Sequence, residues 1–274
     1  MAPNIYLPSL AKIIAVKDEV TGPRAIKTFR TALVDGGAFS FRCGQCAMLS
    51  VFGTGEVMIS ISSSPREKDY LQFSILKMGR VTSAIHELEV GDIIGVRGPY
   101  GNGFPLEEWK GKNIIFAGGG IGLAPLWGIV HETVGDKSAY GDLTLFYGSR
   151  TSQDIVYKEE LQALRSQLDV QLSIDVAEPG WGEFVGFVAQ NVLAKKPSPK
   201  NAIAITCGPP IMIKTVIKAL KELAFDDAQI YTTVENKMKC GVGKCGRCNI
   251  GRHYVCKDGP VYSWAELKNL PQEY

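Results

Sequence analysis

The sequence has no long hydrophobic run. No stretch approaches 18 uninterrupted apolar residues, so nothing in it is expected to span a bilayer. It has little net charge either: 30 basic against 28 acidic residues leave +2, too small an excess to point to nucleic acid or an anionic membrane surface. Histidine is scarce, and His86, His131 and His253 are scattered with no Ser/His/Asp constellation around them. Each reads as a packing or surface residue and not as a catalytic base. Met1 to Leu10 carries two prolines and no basic-then-apolar signal pattern, so a cytoplasmic location is expected. In that compartment disulfides are a poor explanation for the seven cysteines. Four of the seven fall between Cys240 and Cys256, and that clustering directs the reading.

The 274 residues suggest about two domains. Glycine, at 30 residues, exceeds the roughly 7% usual in proteins, which favours tight turns or nucleotide loops. Ile13–Val16, Ile26–Thr31, Ala47–Phe52, Val57–Ile61, Tyr70–Leu76 and Asp92–Val96 are short strand candidates separated by glycine turns, with one helical piece at Val81–Leu88. They suggest a small antiparallel β-barrel over residues 1–108. Beyond Trp109 the rhythm changes. Apolar runs at Ile114–Ala117, Leu143–Tyr147, Val170–Val176, Ile203–Thr206 and Ile230–Val234 alternate with helical segments. Asp154–Leu168 has Asp154 as a candidate N-cap, and in Ile211–Ala224 the residues Ile213, Val216, Ile217 and Leu220 share one face. This alternation predicts a doubly wound parallel α/β domain over 109–234. The remaining segment, 235–274, is short, Cys-rich and without an evident core, so a metal centre is expected to hold it.

Cys240-x4-Cys245-x2-Cys248-x7-Cys256 supplies four thiolates, and the first three match plant-type [2Fe-2S] spacing. Gly241, Gly243 and Gly246 between them allow tight folding and let backbone N–H groups reach the sulfurs. A four-cysteine zinc site uses the same number of thiolates, although zinc ribbons favour paired C-x2-C knuckles and only one is present here.

Phe116 to Leu126 reads FAGGGIGLAPL, a glycine-rich link from strand to helix. Gly119, Gly120, Ile121 and Gly122 would let the backbone approach a pyrophosphate at a helix N-terminus, although the third glycine of G-x-G-x-x-G would fall at Leu123. Cys207-Gly208-Pro209-Pro210 and Phe146 to Arg150 also end strands at the carboxyl edge, where open α/β sheets bind ligands. Gly148 and Arg150 therefore join Gly208 and Pro209 as nucleotide candidates. The alternative is that Pro209 and Pro210 only start a helix and Arg150 is a solvated charge.

In this order, barrel, GGGIGLAPL, CGPP and four-cysteine tail, the chain resembles the ferredoxin–NADP reductase superfamily over nearly its whole length. The resemblance is nearest to electron-transfer subunits of dihydroorotate dehydrogenase, the B subunit of anaerobic sulfite reductase and the gamma subunit of cytoplasmic sulfhydrogenases. Val96 to Pro105 (VRGPYGNGFP) and Met238 to Cys248 (MKCGVGKCGRC) carry the likeness to the latter two.

The resemblance implies FAD on the barrel. The superfamily's Arg-x-Tyr-Ser motif aligns with Val57-Met58-Ile59-Ser60, where only Ser60 is retained, followed by Ile61 and Ser62. A second flavin contact is implied at Gly79, Arg80, Val81, Thr82 and Ser83, a glycine turn that starts a helix and would otherwise simply cap the barrel. Cys207 matches the position beside the nicotinamide ring, where it packs and orients and does no nucleophilic chemistry. The resemblance further implies an oxidoreductase that passes electrons from NAD(P)H through FAD and [2Fe-2S] to a redox partner subunit of a hydrogenase, heterodisulfide-reductase-type or sulfite reductase complex. A self-contained ferredoxin-type reductase, or a non-catalytic nucleotide-binding adaptor with a zinc tail, are the alternatives. Cys43 and Cys46 depart from the family's Pro-Gly-Gln-Phe and read as packing residues, a redox pair or shared metal ligands.

Overall fold

The computed structural model describes residues 4–271, so the ends of the first and last expected segments, 1–3 and 272–274, lie outside it. Six strands form the first unit: β1 (Ser9–Val20), β2 (Ile26–Leu33), β3 (Cys46–Val51), β4 (Gly55–Ser60), β5 (Leu71–Leu76) and β6 (Ile93–Tyr100). Alternation places side chains on opposite faces, so Ala11 and Ile13 point inward while Lys12 between them is exposed. Every pairing is antiparallel, in the order β4-β3-β6-β1-β2-β5. The residues just after β4 bring the two end strands together. Ser62 donates its N–H (2.8 Å) and hydroxyl (3.0 Å) to the Gln72 carbonyl, and the Gln72 N–H donates to Ser63 Oγ (3.1 Å). The barrel interior is filled by Phe29, Phe73, Ile13, Leu49 and Ile61, with Ile85 from helix α1 (Arg80–His86) across one end.

The second unit is a seven-stranded sheet. Strands β7 (Asn113–Gly119), β8 (Leu143–Ser149), β9 (Asp169–Ile174), β10 (Phe184–Val185), β11 (Ala202–Cys207) and β12 (Ile230–Thr233) run parallel in the order β10-β9-β8-β7-β11-β12. Helices α2 (Leu123–Gly135) and α3 (Lys158–Leu164) cover one face, and α4 (Val188–Lys195) and α5 (Pro210–Glu222) the other. Covering both faces requires strands that are apolar on both. In β7, Ile114 and Phe116 enter one core while Ile115 and Ala117 enter the other. The chain moves outward from β7 to β10 and then returns to β11, so the strand order reverses between β7 and β11, the expected ligand crevice.

Three features differ from the sequence reading. Helix α3 starts at Lys158 and not at Asp154, because Tyr157 before it is held at φ 55°. Its buried ring stacks on Trp127 at 4.2 Å and its hydroxyl meets Ser74 of the barrel at 2.5 Å, while Asp154 accepts from Thr151 Oγ1. Helix α4 was unforeseen, although Val188, Ala189 and Val192 mark its buried face. The tail does have a core. Val234, Cys248, Ile250, Val255, Cys256 and Tyr262 pack together around the hairpin β13 (Asn249–Ile250) and β14 (His253–Tyr254) and helix α6 (Val255–Asp258). Strand β15 (Val261–Ser263) then adds antiparallel to β12 as the seventh strand, and α7 (Trp264–Leu267) follows, capped by Ser263 and Glu266.

Trp109 joins the two larger units. It is 1% exposed, with its ring 5.9 Å from Phe104 on the barrel side and 4.8 Å from Tyr231 of β12. Trp109→Ala is expected to cost about 3–5 kcal/mol in urea unfolding. A loss below about 1 kcal/mol would mean that the junction collapses around the vacated space.

Candidate functional site

At the reversal of strand order, β7 runs through Gly119 into a single 3-10 turn, Gly120–Gly122, and then into α2. A Cβ at Gly122 would lie 2.6 Å from the Cys207 carbonyl oxygen and the Gly208 nitrogen, so only glycine lets these two loops touch backbone to backbone. Tyr147 Oη donates to the Gly120 carbonyl at 3.2 Å and steadies the turn from β8. The cleft this builds, about 390 Å³, is lined by Gly119, Gly120, Ile121, Gly148, Arg150 and Pro209 together with Arg24 of the barrel. Six of the nucleotide candidates therefore meet in one place, with Gly122 buried beneath. Asp154 and Asp175 also line this cleft, and the sequence reading had placed no acid there. Burial raises the Asp175 carboxyl and the nearby Arg150 partly offsets it. The signal for Asp175 was its place just beyond β9.

Cys207 and Gly208 face a second cleft, about 640 Å³, between α5 and the tail. The Cys207 thiol is 2% exposed and 2.8 Å from Thr233 Oγ1, and burial pushes it up to about 12. It stays protonated at neutral pH, in keeping with a packing and not a nucleophilic role.

The barrel-side candidates gather around β4 and α1. Val57, Ile59 and Val81 pack toward the barrel interior. Thr82 Oγ1 accepts from the Gly79 N–H at 2.8 Å and caps α1, while Gly79 and Arg80 are exposed and the Cβ position of Gly79 opens onto free space. Ser60 and Ser83 are half-buried, whereas Ser62 is fully buried and spent on barrel closure. Met58 faces the other way, against Met238 and Val242 of the cysteine segment.

That segment folds around its sulfurs. Cys240 Sγ accepts from the N–H groups of Val242 (3.4 Å), Lys244 (3.3 Å) and Cys245 (3.4 Å), and Cys256 Sγ accepts from Gly243 N–H (3.2 Å). Burial opposes ionisation of Cys240, but the three amides outweigh it and bring the thiol down to about 6. Burial and the neighbouring Cys248 push Cys256 up to about 12. Cys245 favours the Cys240 thiolate and Cys248 opposes the Cys256 thiolate, so the thiols stand as two pairs near enough to influence each other's charge. Among the described residues no three His, Cys, Asp or Glu side chains converge on one point. Two thiolates per metal, with amides directed at sulfur, is the donor set of a two-iron cluster.

One residue the sequence reading missed holds this segment in place. Arg97 of β6, its side chain 5% exposed, donates through Nη1 to the Cys240 carbonyl (2.8 Å) and Tyr100 Oη (2.6 Å). Through Nη2 it donates to both Glu56 oxygens (3.0 and 3.1 Å). A Cβ at Gly241 would strike the Tyr100 ring at 2.7 Å, so the loop lies flat on that ring. Cys43 and Cys46 do not face a common ligand. Cys43 is buried with Phe104, Trp109 and Val261, and Cys46 with Met48 and Tyr100. Burial raises both thiols, Cys46 to about 12. They pack two different walls.

Comparison with known proteins gives these features a context. Residues 116–218 match the oxidoreductase NAD-binding domain family, and residues 235–268 match the iron-sulfur cluster binding domain of dihydroorotate dehydrogenase B. The gamma subunit of sulfhydrogenase 1 from Pyrococcus furiosus is 37% identical over 241 residues, 85% of this chain and 82% of its own. An electron transfer subunit of dihydroorotate dehydrogenase B (NAD(+)) from Methanocaldococcus jannaschii is 34% identical over 265 residues, 96% and 93% of the two chains. Among solved structures, that of an NADH-dependent reduced ferredoxin-NADP oxidoreductase, determined in a study of flavin-based electron bifurcation, has a TM-score of 0.74. It is 21% identical and covers 100% of this chain and 95% of that one, a likeness of fold.

Two outcomes are expected. Arg97→Met removes charged hydrogen bonds to the cysteine loop and should lower stability by about 2–3 kcal/mol and speed iron loss to a chelator. Unchanged iron retention would show that the loop holds itself. In cluster-stripped native protein, iodoacetamide at pH 8 should label exposed Cys245 and leave Cys207 unmodified, checked by peptide mass spectrometry.

Proposed function

The chain belongs to the family of sulfhydrogenase gamma subunits and dihydroorotate dehydrogenase B electron-transfer subunits, and on that premise we propose that it relays electrons from NAD(P)H to a redox partner subunit. Gly119, Gly120, Ile121, Gly148, Arg150 and Pro209 hold the nucleotide, whose pyrophosphate lies against the 3-10 turn at the start of α2. Gly79 to Ser83 would hold the FAD pyrophosphate where the barrel meets the nucleotide domain, and Ser60 with the backbone of Met58 and Ile59 would line it, the Met58 side chain being turned to the cysteine segment. A bound flavin supplies the conversion from a hydride pair to single electrons, which a one-electron cluster requires. Cys207 packs beside the nicotinamide and excludes water there. Cys240, Cys245, Cys248 and Cys256 bind [2Fe-2S], two thiolates to each iron.

The observation that carries this reading is the attachment of the cysteine segment at both sides. Arg97 and Tyr100 bind it to the barrel, and β15 binds it into the nucleotide sheet beside β12. Strand β12 leads directly through Val234 into the cysteine segment, so the segment continues the sheet of the nucleotide domain. The partner belongs to a larger complex, of hydrogenase, heterodisulfide-reductase or sulfite reductase type.

Anaerobically purified protein is expected to be coloured, with one flavin and about two iron atoms per chain. NADH or NADPH should bleach the flavin band and produce the EPR signal of a reduced [2Fe-2S] cluster. Failure to bind any flavin, or a colourless protein with one zinc, would overturn the reading.

A further inference from the structure

We propose that the solvent face of the cysteine segment is a docking surface for an acidic protein, whose own redox centre is brought against Cys245. Each of the four cysteines has a cation next to it in the chain: Lys239 beside Cys240, Lys244 beside Cys245, Arg247 beside Cys248 and Lys257 beside Cys256. All four cations are exposed, and none forms an ion pair among the described residues. Lys237 and Arg252 are exposed nearby, and the only carboxylates from 235 to 258 are Glu235 and Asp258. Six cations therefore face two acids in a chain whose whole net charge is only +2.

Folding places one of these cations, Lys257, over the cysteine loop. The Lys257 stem lies against Gly243, its Cδ 3.5 Å from the Cβ position there, which places it over the loop between Cys240 and Cys245. Cys245 is the one exposed cysteine of the four, while Cys248 and Cys256 are buried. Cations thus lie next in the chain to every cysteine, including Cys245, the most exposed of the four. A polyphosphate would satisfy the cations but has no use for an exposed electron-carrying sulfur. An acidic protein surface around a redox centre satisfies both. Exposed charges of this kind steer encounter and are screened by salt, with a Debye length of about 10 Å at 0.1 M.

This inference rests on the cluster and on electron relay as proposed above. Each NADH oxidised then reduces two molecules of a one-electron acceptor and releases one proton. The test uses the holoprotein with NADH and three acceptors: acidic cytochrome b5, basic cytochrome c, and the small dye dichloroindophenol. For the wild type, the ratio of the cytochrome b5 rate to the dye rate should fall about tenfold from low to high ionic strength. The double variant Lys239→Glu/Arg247→Glu should lower that ratio about tenfold at low salt and raise the ratio for cytochrome c. Lys257→Glu should move both ratios in the same directions by a smaller factor. A salt-independent ratio, variants that change both cytochromes in parallel, or tighter binding to duplex DNA or anionic vesicles than to cytochrome b5 would overturn the docking role. Dye reduction by NADH would in those cases leave the relay standing, whereas a protein that reduces no acceptor would overturn relay and docking together.

Discussion

The guanidinium of Arg97 joins the barrel to the first cysteine of the tail. A buried cation is costly unless its donors are matched, and here a carboxylate, a phenol and a backbone carbonyl meet Nη1 and Nη2, while the buried Nε is left without a hydrogen-bond partner. Two of these partners, Glu56 and Tyr100, come from the barrel itself, so the cation is held on the barrel side by a carboxylate and a phenol. What the loop contributes is the Cys240 carbonyl, the backbone of the first cysteine. This bond fixes the first cysteine of the segment against β6. A lysine could neutralise Glu56 but has no fork with which to reach all three acceptors.

The other constraint lies in the nucleotide sheet. Gly122 and Gly208 meet backbone to backbone, so the turn after β7 and the turn after β11 form one continuous floor at the reversal of strand order. Adding β15 antiparallel to β12 has a second effect. It uses the open edge of the parallel sheet, which would otherwise expose unpaired backbone groups, and so fastens the tail without a large interface of its own. Asn102 of the barrel completes this by bonding both backbone groups of Val261, at 2.7 and 3.0 Å. The same few residues therefore close an edge and position the cysteines.

Much of this was legible in the sequence because it is periodic or local. The six barrel strands, the five main parallel strands and the two best-defined helices follow from alternation and from 3.6-residue faces, and the cysteine spacing is local by nature. What escaped was carried by single long-range contacts. The start of α3 depends on Tyr157 reaching Trp127 and Ser74, which no window of sequence contains. Arg97 is one charged residue among many until Cys240 and Glu56 are brought to it from 143 and 41 positions away. The core of the tail is spread over Val234 to Tyr262 with no repeating interval, so its apolar residues read as incidental. Cys43 and Cys46 illustrate the reverse case: a spacing that suggests shared chemistry, in a turn that sends the two thiols into separate cores.

The two thiol pairs are not equivalent, and this gives the segment a direction. Cys248 and Cys256 are buried, and the buried Cys46 of β3 is close enough to sense their charge. Cys240 is half-buried, and Cys245 is exposed. A cluster bound with two thiolates to each iron would be held by one buried pair and one pair open to solvent. The amide donors are also unequal: three address Cys240 in the outer pair, and one addresses Cys256 in the inner pair. Donors to sulfur would stabilise the more negative, reduced state of a bound cluster, and more of them address the outer pair. The outer pair, with Cys245 exposed, is therefore the side from which such a cluster would exchange electrons with another molecule.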